Sequence, residues 1–519
     1  MSVTIVSTDQ MRALEAAAFR QGATEAELQE RAGTAVAEDV AARLEPGDSV
    51  AVLVGPGNNG RDGAVAARHL AGRAFRVTVL LSPRHAVRQP ELLALRAAGV
   101  RVSSAEHAED VAEALRTARI AIDALTGIGA RGPLREPLAS LAAALNHAAR
   151  RHGCLVVALD MPSGVDADTG AIPGEAVRAH RTVTLGAVKQ GLLRFPAAEL
   201  VGTLVCRSIG IPDAAMADLP YRCADENELA SLLPRRPLDA HKYRFGRVLV
   251  VAGSDHYLGA PLLCASAAAR AGAGLVTLAS TAAVRAVVAH RLPEVTFPES
   301  DVAIAADPEA ALEGLLPQLR DCAVLLVGPG LGRAEPVVRF VRLLIERRLE
   351  VAAACGLVVD ADALFALADW PGWWHKMGGR AILTPHSGEL GRLAGPAAST
   401  ETSWAQAARL AGEWGCVLVA KGPFTSVAAP DGRVSVWPRA NPALATGGTG
   451  DVLAGLVAGL MAQGTDPWDA ARLGTAAHAL AAASVLRDRG WRTLLASDLL
   501  PEIPAVLHAL ATPQPDWAT

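Results

Sequence analysis

Cysteine pairs at metal-binding or redox spacing are missing from this chain. Its seven cysteines (154, 206, 223, 264, 322, 355 and 416) are scattered and form no C-x-x-C pair, which argues against a disulfide framework or a zinc site. Neither sign of charge predominates: 49 Lys+Arg face 53 Asp+Glu, a net charge of −4. A protein that grips a phosphate backbone normally carries a basic surplus, so no nucleic-acid partner is expected. Long apolar runs are absent too. The stretches 452–465 and 473–486 contain glycine, the second also a histidine, and charges bracket both. Each falls short of the roughly 18 residues a membrane span needs, so no membrane partner is expected. The segment MSVTIVSTDQMRALE carries Asp9 and Glu15 and has no apolar core. It does not read as a signal peptide, and a cytoplasmic location is expected. No G-x-x-x-x-G-K-[ST] occurs, which removes P-loop chemistry. Lysine is scarce, with only Lys189, Lys242, Lys376 and Lys421 among the 49 Lys+Arg. Where arginine is the default cation, a remaining lysine is a better candidate for a site that needs a compact ammonium.

What the chain does have is 519 residues, 51% of them hydrophobic and 20% charged, which excludes disorder. That length allows two or more domains with ample cores. Short Val/Leu/Ile runs alternate with Ala-rich helical stretches. Candidate strands are 50–54, 76–81, 120–123, 155–159 and 182–185, and the rhythm restarts at 247–252. It continues through 274–279, 323–327, 356–360, 380–383 and 416–420. Continuous apolar strands separated by helices imply buried, mostly parallel sheets, hence α/β architecture. Between the two series lies 211–240, with four prolines, a cluster of charges and no strand pattern. It reads as a junction, with a short helix expected within Asp225–Leu233. The expected domains are 1–222 and 223–519.

Strand 50–54 runs into Gly55-Pro-Gly57-Asn58-Asn59-Gly60-Arg61-Asp62-Gly63. This satisfies G-x-G-x-x-G after a strand, but the dinucleotide fingerprint also wants an acid about 20 positions on. The next strand ends in Leu81-Ser82-Pro83-Arg84 instead, so an ordinary nicotinamide dehydrogenase site is not indicated. Strand 120–123 ends in Asp123 and passes into Thr126-Gly127-Ile128-Gly129-Ala130-Arg131-Gly132-Pro133. Strand 155–159 passes into Asp160-Met-Pro-Ser163-Gly164. In an open parallel sheet such ends converge on one crevice. Each loop alone also fits helix capping and turn formation; three polar, glycine-bearing ends together favour a ligand site.

The motifs GPGNNGRDG, DALTGIG, LDMPSGVDADTG and TVTLGAVKQGLL, in this order, resemble the NAD(P)H-hydrate epimerase domain. The resemblance implies a Rossmann-like fold, with Asn59, Asp123 and Ser163 as potassium ligands. It implies that residues 58–62, 127–133 and Asp160 line the substrate. These are Asn58, Asn59, Gly60, Arg61 and Asp62, then Gly127, Ile128, Gly129, Ala130, Arg131, Gly132 and Pro133. Asp160 is the expected acid/base. Arg61 departs from the family's usual NNGGDG, and Lys189 in the fourth motif fits a structural salt bridge or a ligand contact.

The richest chemical signal is Asn441-Pro-Ala-Leu-Ala-Thr446-Gly447-Gly448-Thr449-Gly450-Asp451, opening an apolar helical run. Glycines let backbone N–H groups close on an anion, and the helix N-terminus adds a favourable dipole. An acid at the end of such a loop is placed to take a proton from a substrate hydroxyl, so Asp451 is the candidate base. The pattern is similar to the G-T-G-D signature of the ribokinase-like superfamily. Further pieces are Gly253-Ser254, Tyr257-Leu-Gly259-Ala260-Pro261, Arg270-Ala-Gly272-Ala273-Gly274, Gly328-Pro-Gly330-Leu-Gly332, Asp360-Ala-Asp362, Thr384-Pro385-His386-Ser-Gly-Glu389 and Lys421-Gly422-Pro423-Phe424-Thr425. Together they resemble the ADP/ATP-dependent NAD(P)H-hydrate dehydratases. By that resemblance Lys421, Gly422, Pro423, Phe424, Thr425 and Gly450 contact the nucleotide. Ala273, Gly332, His386 and Asp451 contact the hydrate. Asp360 and Asp362 fit helix starts or an indirect role on Mg²⁺.

The expected fold is therefore two three-layer α/β/α domains, Rossmann-like then ribokinase-like. The expected function is repair of hydrated nicotinamide cofactors, with potassium in the first domain and Mg²⁺ with ADP in the second. The first domain would interconvert R- and S-hydrates of NAD(P)H; the second would dehydrate the S form, giving AMP and phosphate from ADP. A homo-oligomer is expected. The alternatives are a kinase of the same superfamily acting on a vitamin-like alcohol, and a first domain that binds without catalysing.

Overall fold

The computed structural model describes residues 3–298, 304, 306–395, 403–489 and 494–511. The chain divides into two compact units, Val3–Leu219 and Pro220 onward.

The first unit holds a seven-stranded sheet. Its strands are β1 (Ser49–Val54), β2 (Arg76–Leu81), β3 (Arg101–Ser104), β4 (Ile120–Ala124), β5 (Leu155–Leu159), β6 (Arg181–Leu185) and β7 (Thr203–Arg207). They run in the order β3-β2-β1-β4-β5-β6-β7, all parallel. The order reverses between β1 and β4, which opens a crevice at the carboxyl ends. Strand alternation explains the layering, because successive side chains point to opposite faces. Val50, Val52 and Val54 pack with Ala64 and Ala67 of the helix Asn58–Ala71. Ala51 and Leu53 pack with Leu141 and Leu145 of the helix Leu138–His152.

The second unit holds a nine-stranded sheet. Its strands are β8 (Tyr221–Cys223), β9 (Arg247–Val251), β10 (Leu275–Ala279), β11 (Val324–Val327), β12 (Gly356–Val359), β13 (Ala381–Leu383), β14 (Val417–Ala420), β15 (Ser426–Ala428) and β16 (Val434–Val436). The order is β8-β16-β15-β14-β13-β12-β11-β9-β10. The pairs β14–β15 and β15–β16 are antiparallel and the others parallel. Val248 and Val250 pack with Cys264 and Ala267 of the helix Gly259–Arg270 and with Leu456 and Leu460 of the helix Thr449–Ala462. The alternate residues Leu249, Val251, Leu325 and Val327 are buried as well, so both faces of the sheet are covered.

Three features differ from the sequence reading. The stretch 211–240, read as strandless, contains β8, which pairs in parallel with β16 and straddles the expected 222/223 boundary. The hairpin β15–β16 was not anticipated either, and in the first unit β3 and β7 lie outside the expected strands. Strands of three residues are too short to display alternation, so only their sheet partners reveal them. The apolar stretches 452–465 and 473–486 fall largely within the core helices Thr449–Ala462 and Pro467–Arg489. Among the described residues no helix is long and apolar enough to cross a membrane.

The helix Thr449–Ala462 reaches the sheet by unusually close contact with Gly259–Arg270. A Cβ on Gly455 would lie 2.2 Å from the Cys264 carbonyl oxygen, and one on Gly459 would lie 2.5 Å from that of Ala268. Alanine is the better helix former by about 1 kcal/mol, but overpacking typically costs about 1–3 kcal/mol. Gly455→Ala is therefore expected to lower the melting temperature; a rise, read by calorimetry, would show that the helices can part without cost.

Candidate active sites

In the first unit, the loops leaving β1, β4 and β5 are tied by one buried side chain. Asn59, in the first turn of Asn58–Ala71, donates through Nδ2 to the carbonyls of Thr126 (3.0 Å) and Leu159 (3.2 Å). Asp123, at the end of β4, is fully buried. It accepts from Ser163 N (2.8 Å), Ser163 Oγ (2.7 Å) and Leu125 N (3.2 Å). Burial pushes its carboxyl up to about 6, although the Ser163 and Leu125 hydrogen bonds oppose the shift. Ser163 Oγ also accepts from Thr126 N at 2.9 Å. The Asp123 carboxyl, the Ser163 hydroxyl, the Thr126 carbonyl and the Asn59 amide are thus linked around a buried carboxyl that has no ion-pair partner among the described residues. Such a set suits a hard cation.

Beside this cluster opens a cavity of about 530 Å³. Asn58, Asn59, Asp62, Gly127, Ile128, Gly129, Ala130 and Asp160 line it, as expected residues; Glu15 and Lys189 line it too. Asp160 follows β5 with a left-handed φ of 67°. Its Oδ1 accepts from Leu185 N (3.0 Å), Thr184 Oγ1 (3.2 Å) and the ammonium of Lys189. Lys189 is buried and donates further to the Leu185 carbonyl at 2.8 Å. The salt bridge and the site are therefore the same feature. Asp62 has an Oδ1 that is buried with no partner. Burial, and then the charge of Asp160, raises its carboxyl well above the usual range. Glu15, from the helix Thr8–Arg20, is raised by burial as well. Nothing local in the sequence marked it.

Several expected residues lie elsewhere. Gly60 packs beneath Gly55, whose carbonyl would be 2.4 Å from a Cβ there. Arg61 turns away to pair with Glu91 (2.8 Å) and Glu25 (3.2 Å). Arg131, Gly132 and Pro133 are exposed and outside the cavity lining.

In the second unit, Gly448 caps the helix Thr449–Ala462 with φ 90°. Thr449 Oγ1 donates to the carbonyls of Leu444 (2.8 Å) and Thr446 (2.9 Å), and Thr446 Oγ1 donates to Ala443 O (3.0 Å). The threonines build the loop that ends at this helix start, the positive end of the helix dipole. Asp451 sits in that first turn. Burial and the charge of Asp360 push its carboxyl up to about 7, against the pull of Lys421. Lys421, just past β14, donates to Asp360 Oδ1 at 2.8 Å and lies 4.0 Å from Glu389 Oε2. Its Nζ is 3.4 Å from where a Cβ on Gly450 would stand. Burial works against the ammonium, but Asp360 outweighs it and Lys421 holds its proton above the usual lysine range. Thr384 Oγ1 donates to the same Asp360 oxygen at 2.6 Å.

His386 caps the helix Ser387–Ala394, its Nδ1 accepting from Gly388 N (3.0 Å) and Glu389 N (3.3 Å). Its side chain remains 60% exposed. Gly332 N donates to Asp362 Oδ2 at 2.9 Å. Thr425 Oγ1 donates to Gly422 O at 3.1 Å, closing the turn that contains Pro423 and Phe424. These loops follow β11, β12, β13 and β14 at their carboxyl ends. Ala273 does not join them. Gly274 N donates to Phe245 O, and Leu275 N to Gly246 O, so Ala273 lies at the amino-terminal edge of the sheet. Five residues of strand at about 3.3 Å each put it roughly 16 Å away. The small residue on the correct edge is Ala260, whose Cβ would be 3.1 Å from a Cβ on Gly330. Sequence reasoning also passed over His478, buried in Pro467–Arg489 and pushed down to about 4 by burial, against a backbone hydrogen bond with Thr449.

Comparison with known proteins agrees with this division. Residues 248–505 match the family described as NAD(P)H-hydrate dehydratase, and residues 25–191 the family described as YjeF-related protein N-terminus. A bifunctional NAD(P)H-hydrate repair enzyme from Thermofilum pendens is 37% identical, covering 95% of this chain and 94% of its own. One of the same name from Moorella thermoacetica is 38% identical over 93% of this chain and 92% of its own. A solved ADP/ATP-dependent NAD(P)H-hydrate dehydratase from Bacillus subtilis, co-crystallised with ATP and Mg²⁺, is 30% identical, covering 56% of this chain and 98% of its own, with a TM-score of 0.46. On the near full-length relatives, the chain belongs to the family of bifunctional NAD(P)H-hydrate repair enzymes.

Proposed function

We propose that the two units act on NAD(P)H to which water has added across a ring double bond. The unit 3–219 interconverts the R- and S-hydrates. The unit from residue 220 returns the S-hydrate to NAD(P)H while splitting ADP into AMP and phosphate. The observation that carries this reading is the helix start at Gly448–Asp451, where an anion cradle, a carboxyl of raised proton affinity and Lys421 stand together.

Hydroxide is a poor leaving group and phosphate a good one. Asp451 takes the hydroxyl proton as the hydrate oxygen attacks the β-phosphorus and AMP departs. Phosphate then leaves with the C–O bond pair, a ring proton is lost, and the double bond returns. The N–H groups of the cradle and the ammonium of Lys421 stabilise the charge on the transferring group. Among the described residues there is no cluster of three His, Cys, Asp or Glu that would form a dedicated metal cage. Mg²⁺ carried on the nucleotide would face Asp360 and Asp451 and would supply positive charge to the phosphate oxygens.

In the first unit, Asn59, Asp123 and Ser163 would hold potassium, which supplies a fixed positive charge beside the cavity. Epimerisation needs the hydroxyl to leave one face and water to add on the other. Asp62 and Asp160 face one cavity in different surroundings: burial raises the Asp62 carboxyl well above the usual range, whereas Asp160 is ion-paired with Lys189. Asp62 gives its proton to the departing hydroxyl. Asp160, held by Lys189, receives one from the entering water.

Incubating mixed hydrate epimers with ADP should restore dihydronicotinamide absorbance; a stable phosphate ester instead would make the second unit a small-molecule kinase. Asp451→Asn should lower turnover by about 10²–10⁴-fold with little change in ADP affinity. Asp451 must be a carboxylate to act, so kcat/KM of the wild type should fall about tenfold per pH unit below its value near 7. That acid limb should vanish in Asp451→Asn, and its persistence would assign it to another group.

Asp160→Ala would leave the buried Lys189 ammonium without its side-chain acceptor, so asparagine, which keeps an oxygen there, is the informative replacement in the first unit. Asp62→Asn and Asp160→Asn should each slow epimer exchange by about 10²-fold or more, with dehydration of pure S-hydrate unchanged. Replacing potassium by a bulky organic cation should slow exchange alone. Undiminished exchange in both variants would place the chemistry outside this cavity.

A further inference from the structure

Two cysteines that lie 33 positions apart in sequence come together in the second unit, away from the site. Cys322 stands two residues before β11 and Cys355 one residue before β12, and these strands are parallel neighbours. Both side chains are buried, and their sulfurs are 3.0 Å apart. Beneath them lies Arg348, from the helix Glu335–Val351, with no exposure to solvent. Its guanidinium donates to the carbonyls of Cys355 (2.5 Å) and Met377, while its Nε is buried with no partner. Among the described residues no carboxylate pairs with it. A buried cation without a counter-charge is costly, and the anion it would favour is a thiolate on the adjacent pair.

We propose that Cys322 and Cys355 are an oxidisable pair that forms a reversible disulfide on exposure to a hydroperoxide. Cys355 is the attacking sulfur: the hydrogen bond from Cys322 lowers its thiol, with help from Arg348 and against burial, while the thiol of Cys322 is raised. The Cys355 thiolate attacks the peroxide; the S–O bond forms, the O–O bond breaks, and the departing hydroxide takes up a proton as water. Cys322 loses its proton and attacks the resulting sulfenic sulfur; the S–S bond forms, the S–O bond breaks, and a second water leaves. Two thiols lose two electrons and two protons, and the peroxide is reduced to two waters.

The bond joins the amino-terminal ends of β11 and β12, whereas the loops with Gly332 and Asp362 leave their carboxyl ends. Oxidation is therefore expected to act on stability and to leave the dehydration rate unchanged. Closing a loop of this length constrains the unfolded chain, and the melting temperature of the full chain should rise by roughly 4–8 °C. In the test, the reduced full-length protein is treated with hydrogen peroxide while folded, alkylated, unfolded and digested. Seven free thiols should become five, with one cross-linked peptide containing residues 322 and 355, and dithiothreitol should reverse both the cross-link and the melting shift. In Cys322→Ala the Cys355 sulfenic acid should instead be trapped by dimedone. Seven free thiols after peroxide with an unchanged melting temperature, or a cross-link confined to other cysteines, would overturn the proposal.

Discussion

A parallel strand buried on both faces can place polar chemistry only at its ends, and both units of this protein are organised by that constraint. β1, β4 and β5 are apolar up to their last residues, then release Asn59, Asp123, Asp160 and Ser163 at one edge. β11, β12, β13 and β14 do the same with Gly332, Asp360, His386 and Lys421. Helices covering both faces fix the strands, and the fixed strands bring loops from distant sequence to one crevice. Even the close glycine seam between Gly259–Arg270 and Thr449–Ala462 serves this arrangement, because it sets where the helix start with Asp451 stands.

The same electrostatic device recurs in the two units. A lysine locks one buried carboxylate, Lys189 with Asp160 in the first and Lys421 with Asp360 in the second. The locked anion then raises the proton affinity of a second carboxyl, Asp62 or Asp451, which burial has already raised. Desolvation and a like charge act in the same direction, so the carboxyls of Asp62 and Asp451 are both raised. The four lysines of the chain are thus unevenly placed: two of them are the ion-pair partners of these buried carboxylates.

Much of the fold was legible because its strands are long enough to show continuous apolar runs, and because Gly and Pro punctuate them. Of the unforeseen elements, Tyr221–Cys223 and the hairpin Ser426–Ala428/Val434–Val436 have three residues each and exist only through their partners, while Arg101–Ser104 and Thr203–Arg207 mix polar with apolar residues and show no continuous apolar run. In the sites, the glycine-rich motifs located the loops but not the direction of each side chain. Arg61 lies inside the motif yet turns to Glu25 and Glu91. Ala273 lies inside another yet falls at the opposite edge of the sheet, whereas Ala260 lies beside Gly330 at the edge where the loops gather.

The sequence by itself determined the α/β class, the two series of strands, the glycine loops and the candidate acids, since each rests on local periodicity or on residues close together in the chain. Tertiary structure alone decided which groups meet and in what state of charge. Asp160 and Lys189 are 29 positions apart, Asp360 and Lys421 are 61 apart, and Cys322 and Cys355 are 33 apart. No local pattern encodes such pairings. They arise when parallel strands bring their ends into register, and burial then gives each pair the low-dielectric surroundings in which a single charge shifts its neighbour.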